Sequence, residues 1–403
     1  MEREIYLKRI RPWFGKPLVK VLTGLRRSGK STLLHQVAED LVASGQVVQS
    51  QIVSINFELM EFESLRSAKA LYGEISRRLP TKSRNAAVLL DEVQECDGWE
   101  GVVNSLLAEG GVDLYVTGSN SHLLSSELAT TLTGRYVEIS IYTLGFAEHL
   151  QFVGEQALSR DEEFSRFWQF GGFPGLHQLN ATMAQEYLQS LYNTVLLRDV
   201  VERNNIRDVK VLERILRFAF DNIGNLVTAN SISAYLKSQK LDTSVRTVQS
   251  YLGYAEACFA LHRLSRFDIK GKRHLEIGDK YYLGDLGLRQ AMLGNKSQDI
   301  AGLLENIVCL ELMRRQAKVS VGKIGDQEID FVAEFPDNRR VYVQVCYLLS
   351  DADVVEREFG VLELIPDNYP KWVLSLDPVR REGRNGILWF HLADWLLQEE
   401  WSL

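Results

Sequence analysis

The chain has 403 residues, 45% apolar and 25% charged, which suits roughly two to four folded domains and excludes a disordered polypeptide. Its net charge of −7 argues against a non-specific nucleic-acid coat, and the sequence has no run of about eighteen apolar residues to cross a membrane. Four scattered cysteines (Cys96, Cys258, Cys309, Cys346) offer neither a disulfide framework nor zinc spacing. With no secretory layout in Met1-Glu2-Arg3-Glu4, a cytoplasmic setting is expected. Positive charge is concentrated locally: nine Lys/Arg against two Glu in residues 1–30, and eight against three acids in residues 231–273.

Residues 18–23 predict a short apolar strand, 31–42 a helix and 51–57 a second strand. Leu65, Leu71, Ile75 and Leu79 suit one helix face, and 86–90 reads as a continuous buried strand ending at Asp91-Glu92. A helix over 101–108 precedes a strand over 112–117 that ends in Gly118-Ser119-Asn120. A helix over 126–133 stops at Gly134, and 136–142 is the last strand of the block. This alternation predicts an α/β fold with a parallel sheet covered by helices. Residues 146–200 read as helical, broken by Phe170-Gly171-Gly172-Phe173-Pro174-Gly175. Residues 205–290 begin with helices and close with strands over 258–267 and 280–283. The tail mixes a helix over 303–315 with strands over 328–333 and 340–347.

Gly24-Leu25-Arg26-Arg27-Ser28-Gly29-Lys30-Ser31 fits the phosphate-binding pattern G-x-x-x-x-G-K-[ST] between a strand and a helix. The glycines let the backbone curl so that N–H groups and the helix N-terminus face phosphate oxygens. Lys30 adds a cation, and the Ser31 hydroxyl can ligate Mg²⁺. Gly24, Arg26, Arg27, Ser28, Gly29, Lys30, Ser31 and Thr32 are the expected ATP contacts. Asp91, ending a buried strand, is expected to orient the Mg²⁺ with Ser31, and Glu92 to polarise the attacking water. Ser119 or Asn120, beside Thr117 and Gly118, suits holding that water or touching the γ-phosphate; a plain turn is the alternative. Arg135, after Gly134, suits an arginine that reaches a neighbouring subunit's phosphate; a surface arginine at a helix end is the alternative.

Together with Leu132-Thr133-Gly134-Arg135 and Phe170-Gly171-Gly172-Phe173-Pro174, these motifs resemble prokaryotic AAA-type ATPases of the AAA+ superfamily. Members of that group carry a C-terminal domain of formerly unknown function. Tyr281-Tyr282-Leu283-Gly284-Asp285-Leu286-Gly287 and Leu304-Glu305-Asn306 extend the resemblance over nearly the whole chain. It implies a core over 1–145 with a helical lid over 146–204, assembly into a ring (a homohexamer is the guess), and a finger arginine where Arg135 stands. It also implies a nucleotide-sensing lid arginine, for which Arg198 is the guess.

Residues 232–236 and 245–252 predict two short amphipathic helices, with Asp242 or Thr243 capping the second, before two strands joined by Lys270-Gly271-Lys272-Arg273. That is the layout of a winged helix-turn-helix over 205–290. Ser244, Arg246, Thr247, Gln249 and Ser250 would face a DNA groove, and Lys270, Lys272 and Arg273 the phosphates. Over 291–403, Glu305, Asp330 and the strand Val343-Gln344-Val345-Cys346-Tyr347 resemble restriction-like nucleases of the PD-(D/E)XK type. Gln344 stands where that chemistry needs a second acid and Cys346 where it needs a lysine, so cleavage is not expected unless a migrated cation such as Lys323 compensates. The functional expectation is an Mg-ATP-hydrolysing oligomer that binds or remodels duplex or branched DNA. An ATP-gated protein-binding switch is the alternative, and an ATP-dependent nuclease a weaker third.

Overall fold

The computed structural model describes residues 1–79, 85–121, 132, 134–154, 158–294, 300–379 and 382–401, without the side chains of residues 197, 276 and 277. The helix expected over 126–133 therefore lies outside the described residues, apart from Leu132. Two units emerge: Met1–Ile141 with Ala257–Phe259, and Tyr142–Glu256 with Ala260–Leu403.

In the first unit, β1 (Val19–Thr23), β2 (Ile52–Asn56), β3 (Ala86–Asp91), β4 (Val112–Gly118) and β5 (Tyr136–Ser140) form an all-parallel sheet ordered β2-β3-β4-β1-β5. Strands β1 and β3 are buried along their whole length because both faces are covered. Side-chain alternation divides the core. Leu22, Leu89 and Tyr115 meet α1 (Glu4–Ile10) and α2 (Lys30–Ala43) through Tyr6, Leu7, Leu33 and Val37. Val21, Val88, Leu90 and Val116 meet α3 (Ala68–Arg78) and α4 (Trp99–Glu109) through Leu71, Ile75 and Val103 on the other face. Each such side chain contributes about 1.5–3 kcal/mol on burial. Lys20 interrupts the apolar run of β1 and is fully buried, yet its ammonium pairs with Asp113 and donates to the Lys16 carbonyl at 2.9 Å. Asp113 also accepts from the Tyr115 hydroxyl at 2.8 Å and from Gly15 N at 2.9 Å, so this buried charge is fully partnered.

The second unit opens with α5 (Phe146–Val153), α6 (Arg160–Phe170), α7 (Ala181–Thr194) running into a π-helical stretch at Val195–Glu202, and α8 (Val209–Asp221). β6 (Leu226–Val227), α9 (Ala229–Ser238), α10 (Val245–Ala257) and the hairpin β7 (Leu261–Asp268) and β8 (Arg273–Leu283) follow. Then come α11 (Leu286–Leu293), α12 (Ile300–Arg314), β9 (Lys318–Ile324), β10 (Gln327–Glu334), β11 (Arg340–Val345), α13 (Ala352–Glu363), β12 (Lys371–Ser375), β13 (Leu388–His391) and α14 (Leu392–Leu397). All eight strands belong to one sheet, ordered β13-β12-β11-β10-β9-β7-β8-β6. Within the second unit, the parallel pairing of β7 with β9 (Arg266↔Val321, Phe267↔Gly322, Asp268↔Lys323) joins the segments expected as 205–290 and 291–403 into one sheet.

Local chemistry explains several motifs. Asp285 accepts from Gly172 N at 2.9 Å and Gly287 N at 2.7 Å, which ties the Gly171-Gly172 turn to the start of α11. Asn306 clamps the Leu283 backbone, accepting its N–H at 2.6 Å and donating to its carbonyl at 3.1 Å. The cap of α10 is Ser244, whose hydroxyl accepts Thr247 N at 3.0 Å, rather than Asp242 or Thr243. Thr243 is instead buried, its carbonyl receiving the Ser233 hydroxyl at 2.8 Å.

Candidate functional site

The phosphate-loop motif lies at the C-terminal end of β1. Gly24 has φ +150° and approaches Ile141 so closely that a Cβ would sit 2.1 Å from its carbonyl oxygen, so a side chain here displaces the loop. Gly29, at φ 96°, turns the chain into α2, and Lys30 is its first residue. The first-turn N–H groups of that helix therefore open toward the loop. The Lys30 ammonium donates to the Gly24 carbonyl at 3.1 Å and the Leu25 carbonyl at 3.3 Å, and lies 3.5 Å from Glu92 Oε1. Arg3, from before α1, braces the loop by donating to the Ser28 carbonyl at 2.8 Å. Arg26 pairs with Glu58, which follows β2, while Arg27, Ser31 and Thr32 are exposed.

Asp91 and Glu92 end β3 beside this loop. The Thr117 hydroxyl, at the end of β4, donates to Asp91 Oδ1 and accepts Glu92 N at 2.9 Å, bracing both acids. Burial pushes the Asp91 carboxyl above its ordinary range, opposed by hydrogen bonds from Thr117 and Ser31. Burial pushes Glu92 the same way, but Lys30, Gln94, Arg26 and Ser119 outweigh it and hold Glu92 below the usual glutamate range. Glu92 is also left-handed, at φ 55°, a conformation costing about 1 kcal/mol for a side-chain-bearing residue. Ser119 and Asn120 are buried at the same strand end.

The structure thus assembles Lys30, Ser31, Asp91, Glu92, Thr117 and Ser119 from three separate segments at the C-terminal ends of the interior strands β3, β4 and β1. Ser31 and Asp91 present the hard oxygen donors that suit Mg²⁺. Glu58, Gln94 and Arg3 are participants that the sequence reading missed. Glu58 had a usable signal, an acid just beyond a strand end on the loop side; Arg3 had none, since its contact depends on how α1 packs.

Arg135 is not part of this cluster. It precedes β5, whose Tyr136 pairs with Val19, so it lies at the start of the strand rows, about 16 Å along the strands from the loop at their far ends. Its guanidinium donates to Asn104 Oδ1 at 2.7 Å and the Leu132 carbonyl at 3.4 Å. Thr133 lies outside the described residues.

In the second unit, Arg246 and Gln249 are exposed on one face of α10, and Lys270, Lys272 and Arg273 are exposed at the tip of the β7–β8 hairpin. Arg198 is half-buried in the π-helical stretch. The nuclease-like residues do converge. Gln344 Oε1 accepts Asp330 N at 3.2 Å, and Asp330 Oδ2 accepts Val345 N at 2.8 Å. Burial pushes the Cys346 thiol up, so it supplies no charge. The cation beside Glu305 and Asp330 is Lys280, not Lys323. Among the described residues, no three acid, imidazole or thiol groups are arranged to hold a metal ion, and no helix is long and apolar enough to cross a membrane.

Comparison with known proteins fits this geometry. Residues 16–150 match a family described as an AAA domain, and residues 161–299 match a domain of unknown function. An uncharacterized protein of Haemophilus influenzae is 36% identical over 400 residues, covering 99% of both chains. The chain belongs to the same family as that protein. An uncharacterized protein of Methanocaldococcus jannaschii is similar too, 28% identical over 359 residues, 86% of this chain and 78% of its own. Solved structures that the chain matches include Aeropyrum pernix ORC1 in complex with DNA, at 14% identity and TM-score 0.31, covering 72% of this chain and 91% of that one. AMPPCP-bound DnaA from Aquifex aeolicus has 12% identity and TM-score 0.32, covering 62% and 86%. Residues 16–150 of this chain thus carry an AAA-type P-loop fold, followed by a second unit with its own sheet.

Proposed function

We propose that the protein is an ATPase that hydrolyses Mg-ATP and uses the cycle to bind or remodel DNA as a homo-oligomer. The observation that carries this reading is the convergence of Lys30, Ser31, Asp91 and Glu92 at the C-terminal ends of β1 and β3. The α2 N-terminus and Lys30 hold the phosphates, and Ser31 with Asp91 hold the Mg²⁺. Bound there, Mg²⁺ would supply positive charge to the phosphates as negative charge shifts during transfer. Glu92, kept ionised, orients a water and accepts its proton, with Ser119 or Asn120 fixing the water's position. Lys30 serves two anions. When phosphates draw its ammonium away, Glu92 loses its strongest counter-charge and becomes a stronger base.

Arg135, remote from its own loop, acts on the γ-phosphate held by a neighbouring copy, the geometry of a closed ring with heterologous contacts, for which six copies are proposed. Arg246 and Gln249 read a groove, and Lys270, Lys272 and Arg273 neutralise the DNA backbone from a winged helix-turn-helix built of α8 to β8.

The test is the Mg²⁺-dependent ATPase rate with no DNA, single strand, linear duplex and four-way junction over a range of salt, with Lys30→Ala as control. Stimulation by one DNA form, lost as salt rises, is expected because phosphate contacts release counterions. A flat response with turnover intact overturns the DNA assignment and points to a protein partner.

A further inference from the structure

We infer that the nuclease-like centre of the second unit is a cation site permanently filled by the chain's own Lys280, so that it binds no divalent metal. The Lys280 ammonium lies 2.7 Å from Glu328 Oε1, 3.3 Å from Glu305 Oε2 and 3.9 Å from Asp330 Oδ1. The three acids come from β10 and α12, the elements of the nuclease-like half, whereas Lys280 comes from β8 of the preceding hairpin. One ammonium therefore stands among three carboxylates, within hydrogen-bond reach of Glu328 and Glu305 and at ion-pair distance from Asp330, all longer than the roughly 2.0–2.6 Å of metal–oxygen bonds.

The surroundings close the same site. Tyr282, two residues along β8 and on the same face, donates its hydroxyl to Glu305 Oε2 at 2.8 Å. The α8–β6 turn covers that oxygen as well. Gly224 has φ +75°, and a Cβ there would lie 2.9 Å from Glu305 Oε2. Asp330's second oxygen is taken by Val345 N at 2.8 Å. Lys280, Tyr282 and Gly224 of the winged-helix half thus crowd Glu305, while Val345 of the nuclease-like half occupies Asp330. Burial works against the Lys280 charge, but the three carboxylates outweigh it and hold the ammonium charged far above neutral pH. With Gln344 and Cys346 in the remaining positions, the half retains a nuclease-like skeleton whose cation is covalently its own.

The test is Mn²⁺ binding to the full-length protein without nucleotide, read by equilibrium dialysis and by the shift in thermal midpoint. Wild type and Asp330→Asn are expected to bind equal amounts, because Lys280 already fills the site. Lys280→Ala is expected to gain one Mn²⁺ per chain that Lys280→Ala/Asp330→Asn lacks, with the metal raising the midpoint of the single variant alone. Lys280→Ala/Glu328→Gln, which removes one acid with the ammonium, carries the same expectation if the single variant fails to fold. Two results overturn the proposal: wild type binding one Mn²⁺ more than Asp330→Asn, or both folded Lys280 variants gaining none over their Asp330→Asn counterparts.

Discussion

The ammonium of Lys30 lies 3.5 Å from the carboxylate of Glu92, with both groups buried and each drawn from a different segment of the first unit. Each therefore sets the electrostatics of the other. Lys30 offsets the desolvation of Glu92, and Glu92 holds the ammonium at the mouth of the loop together with the Gly24 and Leu25 carbonyls.

Lys30→Ala removes the charge-assisted contacts to phosphate, worth about 1.5–3 kcal/mol, and should weaken ATP binding about 10- to 100-fold. Titration with a fluorescent ATP analogue measures this. Unchanged affinity would remove the phosphate-loop assignment.

Glu92→Gln should bind ATP normally while turnover falls by about 10²–10⁴-fold. The pH profile of the wild type adds a sharper test. The base must be ionised, and in the free protein Glu92 titrates below the ordinary glutamate range. Once phosphates engage Lys30 that support is shared. The acidic limb of kcat/KM, which reports the free protein, should therefore lie at lower pH than the acidic limb of kcat. Coincident limbs would mean that Lys30 does not control Glu92.

Arg135→Ala should lose turnover in homogeneous protein, yet regain it when mixed with Lys30→Ala, since each variant supplies what the other lacks at a shared interface. Asn104→Ala, which frees the guanidinium from its 2.7 Å partner, should leave turnover within a few-fold of wild type. Failure of the mixture to recover activity assigns Arg135 to holding α4 against β5 alone.

Asp285 provides a stability test in the second unit. Burial pushes its carboxyl up to about 6 from an ordinary 3.8, despite hydrogen bonds from Thr143, Gly172 and Gly287. Between those values the folded chain holds a proton that the unfolded chain has released, so stability is lost as pH rises through that window. The shift corresponds to about 3 kcal/mol. Relative to Asp285→Asn, which cannot ionise, wild type should lose stability by up to that amount between about pH 4 and pH 7, read from urea midpoints. Parallel pH curves for the two proteins would contradict the burial-driven shift.

The phosphate loop and the paired acids were legible in sequence because their chemistry is local. A strand must end, a glycine must turn, and a lysine must follow at fixed spacing. The parallel sheet of the first unit was legible for a similar reason, since β1 and β3 are continuous apolar runs. What escaped reading depended on long-range packing. β9 has the mixed composition Lys318-Val319-Ser320-Val321-Gly322-Lys323-Ile324 and becomes a strand through its partners β7 and β10. The role of Lys280 follows from pairing of β8 with β7, which no spacing within residues 273–283 discloses. The cap of α10 went to Ser244 because Thr243 was drawn into the core, a contest settled by tertiary contact.

The β7–β9 pairing also bears on how the chain can be cut. A fragment ending at Gly294 would leave Arg266, Phe267 and Asp268 with a bare strand edge where β9 now lies. It would also strip the carboxylates of Glu305, Glu328 and Asp330 from the buried Lys280. Such a piece would combine an adhesive edge with an uncompensated inner charge, so its aggregation would say nothing about the DNA-binding capacity of the intact protein. Force applied at the hairpin tip would likewise pass through a continuous ladder of hydrogen bonds into the C-terminal strands.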